Sequence, residues 1–345
     1  MFFGLFFLGC YAQTDLDLAA SYYERGEFEK AQYLYQKLLN AQPNNSNHAF
    51  RLIKIQQELQ QFKAADSLIN GLLKNTKNPQ YLVELGYNFQ LQNQLETAKS
   101  YYNQALSQAY EMPALSYSIA LKFEEHSLVD QAIEVYVLAI KNTQNYSYEY
   151  RLAGLYAIKK DLENMFLSYL NFTAYNPNYK NQTLQLLSDY ISEDADSKYN
   201  RILKKIILKK LQTSSNVLWN QMLSWLFVQE KAYKRALAQE KAIFRRQQNS
   251  LQGVLEVALL AKADKVYEVT SDAFRFISNV AQEPKLSLEA ERQLLTLELL
   301  RNKSPDYKRI QLDYKHLLER YGIYNETVDL QLSYACLLYT SPSPR

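Results

Sequence analysis

One spacing constrains this chain more than any other feature. The stretch YYERGEFEKAQYLYQKLLNAQPNN (residues 22–45) carries Leu18-Ala19, Tyr22, Gly26, Phe28, Ala31, Tyr35, Leu38 and Pro43 in and around it. The same pattern returns 34 residues on as Leu52-Ile53, Gln56, Phe62, Ala65, Ile69 and Leu72. It returns 33 later as Leu85-Gly86, Phe89, Asn93, Leu95, Ala98, Tyr102 and Ala105. A further 34 gives Ile119-Ala120, Phe123, Val129, Ala132, Tyr136 and Ala139. A further 33 gives Leu152-Ala153, Tyr156, Leu162, Met165, Tyr169, Phe172 and Pro177. Apolar self-similarity at such a period marks a solenoid, in which each unit buries its second face only against a neighbour.

Each unit reads as two short helices. A small residue in the first helix (Ala19, Gly86, Ala120, Ala153) lets the second approach closely, and Ala31, Ala65, Ala98 and Ala132 answer from the other side. Gly26 and Asn93 tolerate the left-handed backbone that closes a helix. Pro43 and Pro177 stop the second helix. Ile53 and Met165 stand where a small residue is expected, so units two and five are expected to pack slightly more loosely.

The spacing resembles the tetratricopeptide repeat (TPR), over residues 12–179. The resemblance implies an all-α fold: an α-solenoid of antiparallel helix pairs curving into a right-handed superhelix, with no sheet. It implies further that the first helices line a concave groove. Carried onto this sequence, the groove positions are Phe50, Arg51 and Lys54, then Val83, Tyr87 and Gln90, then Tyr117 and Leu121, then Tyr150 and Arg151. Tyrosine and arginine are preferred interface anchors, because they combine contact area with directional donors. The Lys, Asn and Arg set of the family's chaperone-tail binders is absent from these positions, so that ligand is not expected.

After residue 180 the repeat weakens while helical periodicity persists. Residues 180–335 read as irregular TPR-like pairs, one at 218–243 and two more around 251–280 and 286–320, with a longer unpaired helix near 198–212. Ser192–Ser197 is an acidic polar break and a helix-capping region. In the helix that follows, Lys198, Arg201, Lys204, Lys205, Lys209 and Lys210 alternate with Ile202, Leu203, Ile206, Ile207 and Leu211. That is a basic amphipathic face: a solvated side of the solenoid, or a contact for an acidic partner or an anionic membrane.

Chemistry-bearing motifs are lacking. There is no phosphate loop, dinucleotide fingerprint, zinc-protease helix or nucleophile elbow. His48, His126 and His316 lie far apart and are expected at the surface or in loops. Glu124-Glu125 and Glu193-Asp194 are adjacent acids, which do not face each other on a helix, and are expected to be solvated. No enzyme activity, metal or cofactor is expected. Net charge is +3 over 345 residues, which argues against nucleic acid as the partner. Only eight glycines and eight prolines are present, too few for a turn-rich β fold.

The ends differ from the rest. Residues 1–12 begin with the apolar run MFFGLFFLG, too short to span a membrane, and resemble a secretory signal cut after Ala12. FLGC resembles a lipoprotein box, which would make Cys10 a lipid-bearing residue; a buried or frayed N-terminus is the third reading. With the Asn, Gln, Lys and Tyr bias, this resembles an exported Bacteroidota protein of the periplasm or envelope. Residues 336–345, CLLYTSPSPR, resemble sequencing-adapter read-through and are expected to pack on nothing. The expected function is a non-enzymatic scaffold of the cell envelope that binds a peptide or protein in the groove formed within residues 13–179. The alternatives are a docking arm for an effector domain beyond residue 335, or a glycan or peptidoglycan binder.

Overall fold

A computed structural model describes residues 15–340 except 249 and 303. The signal, lipidation and export expectations, and the tail beyond residue 340, lie outside the described residues. Among those described there is no strand, and helices follow one another in adjacent packed pairs. The result is an all-α solenoid. The chain divides into two compact units, with the boundary between Asp161 and Leu162. The division falls inside the fifth spacing match, between its two helices.

The first unit holds α1 (15–24), α2 (Phe28–Ala41), α3 (Ser46–Glu58), α4 (Phe62–Thr76), α5 (Gln80–Leu91), α6 (Leu95–Glu111), α7 (Ser116–Glu125), α8 (Val129–Thr143) and α9 (Glu149–Ile158). Odd-numbered helices are the first helices of each pair. The small residues read from the sequence are at the contacts: Ala19, Ala31, Ala65, Ala120, Ala132 and Ala153 are fully buried. Gly86 shows why. A Cβ there would lie 2.3 Å from the Tyr102 ring and 3.1 Å from the Ala98 carbonyl oxygen. Ile53 and Met165 are also fully buried, so the larger residues fill their sites without leaving a gap open to solvent.

The clearest record of the repeat is in the turns. Gly26, Gln60, Asn93, Ser127 and Lys160 all have positive φ, at successive intervals of 34, 33, 34 and 33 residues. At each, the next amide donates back to a carbonyl five residues earlier, as Glu27 to Tyr22, Gln61 to Gln56, Gln94 to Phe89, Leu128 to Phe123 and Asp161 to Tyr156. This is the Schellman closure, which pairs carbonyls the helix end would otherwise orphan. Only Gly26 and Asn93 were legible as such turns. The other three hold the same backbone with ordinary side chains.

The second unit holds α10 (Leu162–Tyr175), α11 (Lys180–Ser188), α12 (Lys198–Thr213), α13 (Val217–Gln229), α14 (Tyr233–Gln247), α15 (Gln252–Ala263), α16 (Tyr267–Val280), α17 (Pro284–Arg301), α18 (Tyr307–Tyr321) and α19 (Val328–Thr340). The same closure recurs at Lys231 and, 34 residues on, at Lys265. The structure departs from the sequence expectations at three places. The helix near 198–212 is not unpaired: α12 packs against α10 and α13 through Leu203, Ile206 and Ile207. The C-terminal segment is not without contacts. α19 runs on to Thr340, and Leu337 is buried with Leu330, Ile310 and Tyr314, because it falls on the same helical face as Leu330. His48 is buried and His126 is largely so; only His316 is exposed.

Candidate functional site

The expected groove residues lie on α3, α5, α7 and α9, first helices of the first unit. The structure sorts them into two groups. One is consumed by internal contacts, and the other is open.

The internal group centres on α5 and α7. Glu84 and Lys122 are both almost fully buried and form an ion pair at 3.3 Å. His126, one turn after Lys122, places Nε2 3.1 Å from the other Glu84 oxygen. Lys122 also reaches Glu125 at 2.5 Å. Its ammonium lies 3.8 Å from the centroid of the Phe50 ring, and Phe50 stacks on Tyr81 at 4.9 Å. The Tyr87 ring stacks on His126 at 3.8 Å and 20°. A charge removed from water must be paired to be tolerated, and these contacts supply that pairing. Val83 is fully buried, and Gln90 accepts a hydrogen bond from the Tyr102 hydroxyl at 3.0 Å. So Phe50, Val83, Tyr87 and Gln90 spend much of their surface inside the protein.

The open group has two parts. On α3, Arg51 and Lys54 are exposed; the Arg51 guanidinium rests 4.4 Å from the Tyr23 ring centroid and Lys54 5.8 Å from it. On α7 and α9, Tyr117 and Tyr150 are each 41% exposed and Arg151 is exposed. Arg151 donates to the Tyr117 hydroxyl at 3.4 Å and pairs with Glu124 at 3.6 Å. Glu124 also accepts the Tyr136 hydroxyl at 2.5 Å. Burial pushes the Tyr136 hydroxyl well above the usual phenol range, and the Glu124 carboxylate pushes the same way. Tyr117 stacks on Tyr148 at 6.1 Å. Leu121 lies half-buried one turn from Tyr117 on α7.

The expectation that Glu124 and Glu125 are solvated therefore holds for Glu125 alone. Reading single units misses Glu84, Lys122, His126, Glu124 and Tyr148. The signal was present as a pair of basic positions four apart, Lys122 and His126, one repeat plus a turn after Glu84. Among the described residues, no group of three or more His, Cys, Asp or Glu side chains could hold a metal ion, and no helix is long and apolar enough to cross a membrane.

No protein-family model matches the chain, and no curated protein matches it. Solved structures do. One is a tetratricopeptide repeat protein from Parabacteroides merdae, 13% identical, covering 76% of this chain and 99% of its own, at TM-score 0.25. Another is the C-terminal part of a TPR repeat-containing protein from Cytophaga hutchinsonii, 13% identical, covering 83% of this chain and 96% of its own, at TM-score 0.29. The structures this chain is similar to are thus TPR proteins, while its own solenoid rests on the repeated pairs and turns described above.

Proposed function

We propose that the chain is a non-enzymatic scaffold of the cell envelope that binds a peptide or protein along the first helices of its first unit. The observation that carries this reading is the Tyr117–Arg151 pair. Both side chains are exposed, and Arg151 is held in place by Glu124 and the Tyr117 hydroxyl. An arginine has five N–H donors, so these two contacts leave donors for a carboxylate or amide of a partner. Holding it in advance lowers the entropy lost on binding. The exposed rings of Tyr117 and Tyr150 supply contact area beside it. Arg51 and Lys54, on Tyr23, extend the basic and aromatic character of the same set of helices.

The working surface is narrower than the full groove. The stretch occupied by Phe50, Lys122, Glu84, His126 and Tyr87 is satisfied internally and contributes rigidity. The test is affinity capture from envelope extract with wild type, Tyr117→Ala, Arg151→Ala and Lys99→Ala, each checked first by circular dichroism. Specific retention lost in the first two variants and kept in the exposed α6 control Lys99→Ala supports the reading. Equal retention by all four refutes it.

A further inference from the structure

Helix α12 carries six basic residues and no acidic one over Lys198–Thr213. The structure divides them. Lys204 turns inward to the buried Glu230 carboxylate at 2.8 Å, and Lys210 donates to Asn171 at 2.6 Å and lies over the Trp219 ring. Lys198, Arg201, Lys205 and Lys209 are exposed, and no acidic side chain among the described residues pairs with them. At about 100° per residue, these four and the exposed Leu208 fall within a sector of about 100°. They make one stripe along the outer side of the helix.

That stripe costs the helix stability. Arg201, Lys205 and Lys209 stand at successive four-residue steps, where like charges repel, and no acid offsets them. Three aligned, uncompensated cations beside an exposed leucine present a surface complementary to a row of carboxylates. The row has a definite pitch. Steps of four residues place the charges about 6 Å apart along the axis. A partner helix with carboxylates at every fourth residue has the same pitch, so each pair registers with the next. Leu208, 44% exposed, supplies an apolar contact at one edge of the stripe, beside Lys205 and Lys209.

We propose that the outer stripe of α12 docks an acidic α-helix whose carboxylates repeat every four residues. This surface lies in the second unit and does not depend on the first-unit site. Other polyanions fit less well. A nucleic acid or an anionic bilayer is a broad field of charge, which a single row of four cations on a chain of net charge +3 engages weakly.

The test uses the full chain and three probes. The first is a labelled helical peptide with Glu at i, i+4 and i+8 and a Leu between them. The second is a peptide of the same composition and helicity with its Glu residues moved off that spacing. The third is phosphatidylserine-rich vesicles. Binding is read by fluorescence anisotropy for the peptides and by co-sedimentation for the vesicles, at two salt concentrations. The expected result is salt-sensitive binding of the spaced peptide, at least about tenfold weaker for the displaced peptide and for Arg201→Gln/Lys205→Gln/Lys209→Gln. The triple variant changes only exposed side chains, and its circular dichroism and melting curve are compared with wild type. A second arm, Lys205→Glu against a peptide with its central Glu changed to Lys, is expected to restore binding. Equal affinity for both peptides, an unchanged affinity in the triple variant, or binding to vesicles alone each overturns the proposal.

Discussion

The ammonium of Lys122, on α7, lies 3.8 Å from the centroid of the Phe50 ring, on α3. One side chain thereby ties the fourth repeat to the second, past the helix that separates them. It does so while paired with Glu84 of that intervening helix. Such a contact is costly to break from one side, because the partner charge stays buried. Lys122→Met is expected to destabilise the fold by about 3 kcal/mol or more, leaving Glu84 with His126 as its remaining partner. Lys122→Met/Glu84→Gln is expected to recover part of that loss, since neither charge is then stranded. Urea denaturation of the two variants and wild type checks both signs. A single variant as stable as wild type would show that the pair carries no burial penalty.

Two glycines on first helices are expected to respond oppositely to alanine. A Cβ at Gly86 would meet the Tyr102 ring at 2.3 Å, and that ring is anchored through its hydroxyl to Gln90. Gly86→Ala is expected to destabilise by about 1–3 kcal/mol through overpacking. Gly154, inside α9, has nothing within 4 Å of the same atom and normal helical backbone. Gly154→Ala is expected to stabilise by about 0.5–1 kcal/mol, from helix propensity alone. Thermal melts of the two variants separate the effects by sign.

That contrast also shows how far the sequence could be read. Helix pairing and the small-residue contacts were legible because Ala31, Ala65, Ala98 and Ala132 recur at a fixed interval, and close helix approach leaves few residue types for those places. The turns at Gln60, Ser127 and Lys160 were not, since glutamine, serine and lysine carry no marker of the left-handed backbone they adopt there. The candidate residues could be assigned to first helices from the sequence, but their exposure could not. Tyr87 and Tyr117 occupy neighbouring repeats and look equivalent as letters. The difference is made by His126, which covers Tyr87 from α7's end, while Tyr117 has Tyr148 at a longer distance and stays 41% exposed. Long-range pairs such as Lys122 with Phe50 leave no local pattern at all.

A pH dependence is expected in the second unit. Glu240, on α14, packs against Gly253 of α15, where a Cβ would meet its carboxylate at 2.0 Å. Burial holds its carboxyl above the ordinary value of 4.5, and a hydrogen bond with Ser224 only partly opposes this. A carboxyl raised in the folded state binds its proton more tightly there than in the unfolded chain. Folding stability from this group therefore falls as pH rises from about 4.5 through the raised value. Above that window the ionised group is a net cost. Glu240→Gln is expected to be more stable than wild type at pH 7, with the gain shrinking to nothing below the ordinary carboxylate range. Urea midpoints from pH 4 to 8 test this; a difference independent of pH would assign the effect to packing.

The last expectation concerns Tyr87 and Tyr117, which single-unit reading treats alike. Tyr87 lies ring to ring with His126 at 3.8 Å, and His126 in turn faces the buried Glu84. Truncating Tyr87 removes a stacked aromatic and opens a polar cluster to water. Tyr87→Ala is expected to cost about 2 kcal/mol or more, in the range of buried aromatic losses with partial relaxation. Tyr117→Ala removes a ring that already meets solvent, together with one long hydrogen bond from Arg151, which keeps its pairing with Glu124. Its cost in stability is expected within about 1 kcal/mol. Binding should divide the other way, with Tyr117→Ala weakening partner capture while Tyr87→Ala, measured well below its melting temperature, weakens it less. The two readouts on the same pair of variants distinguish an internal strut from a contact residue. A Tyr87 variant with unchanged melting and abolished capture would reverse the assignment and place the working surface on α5.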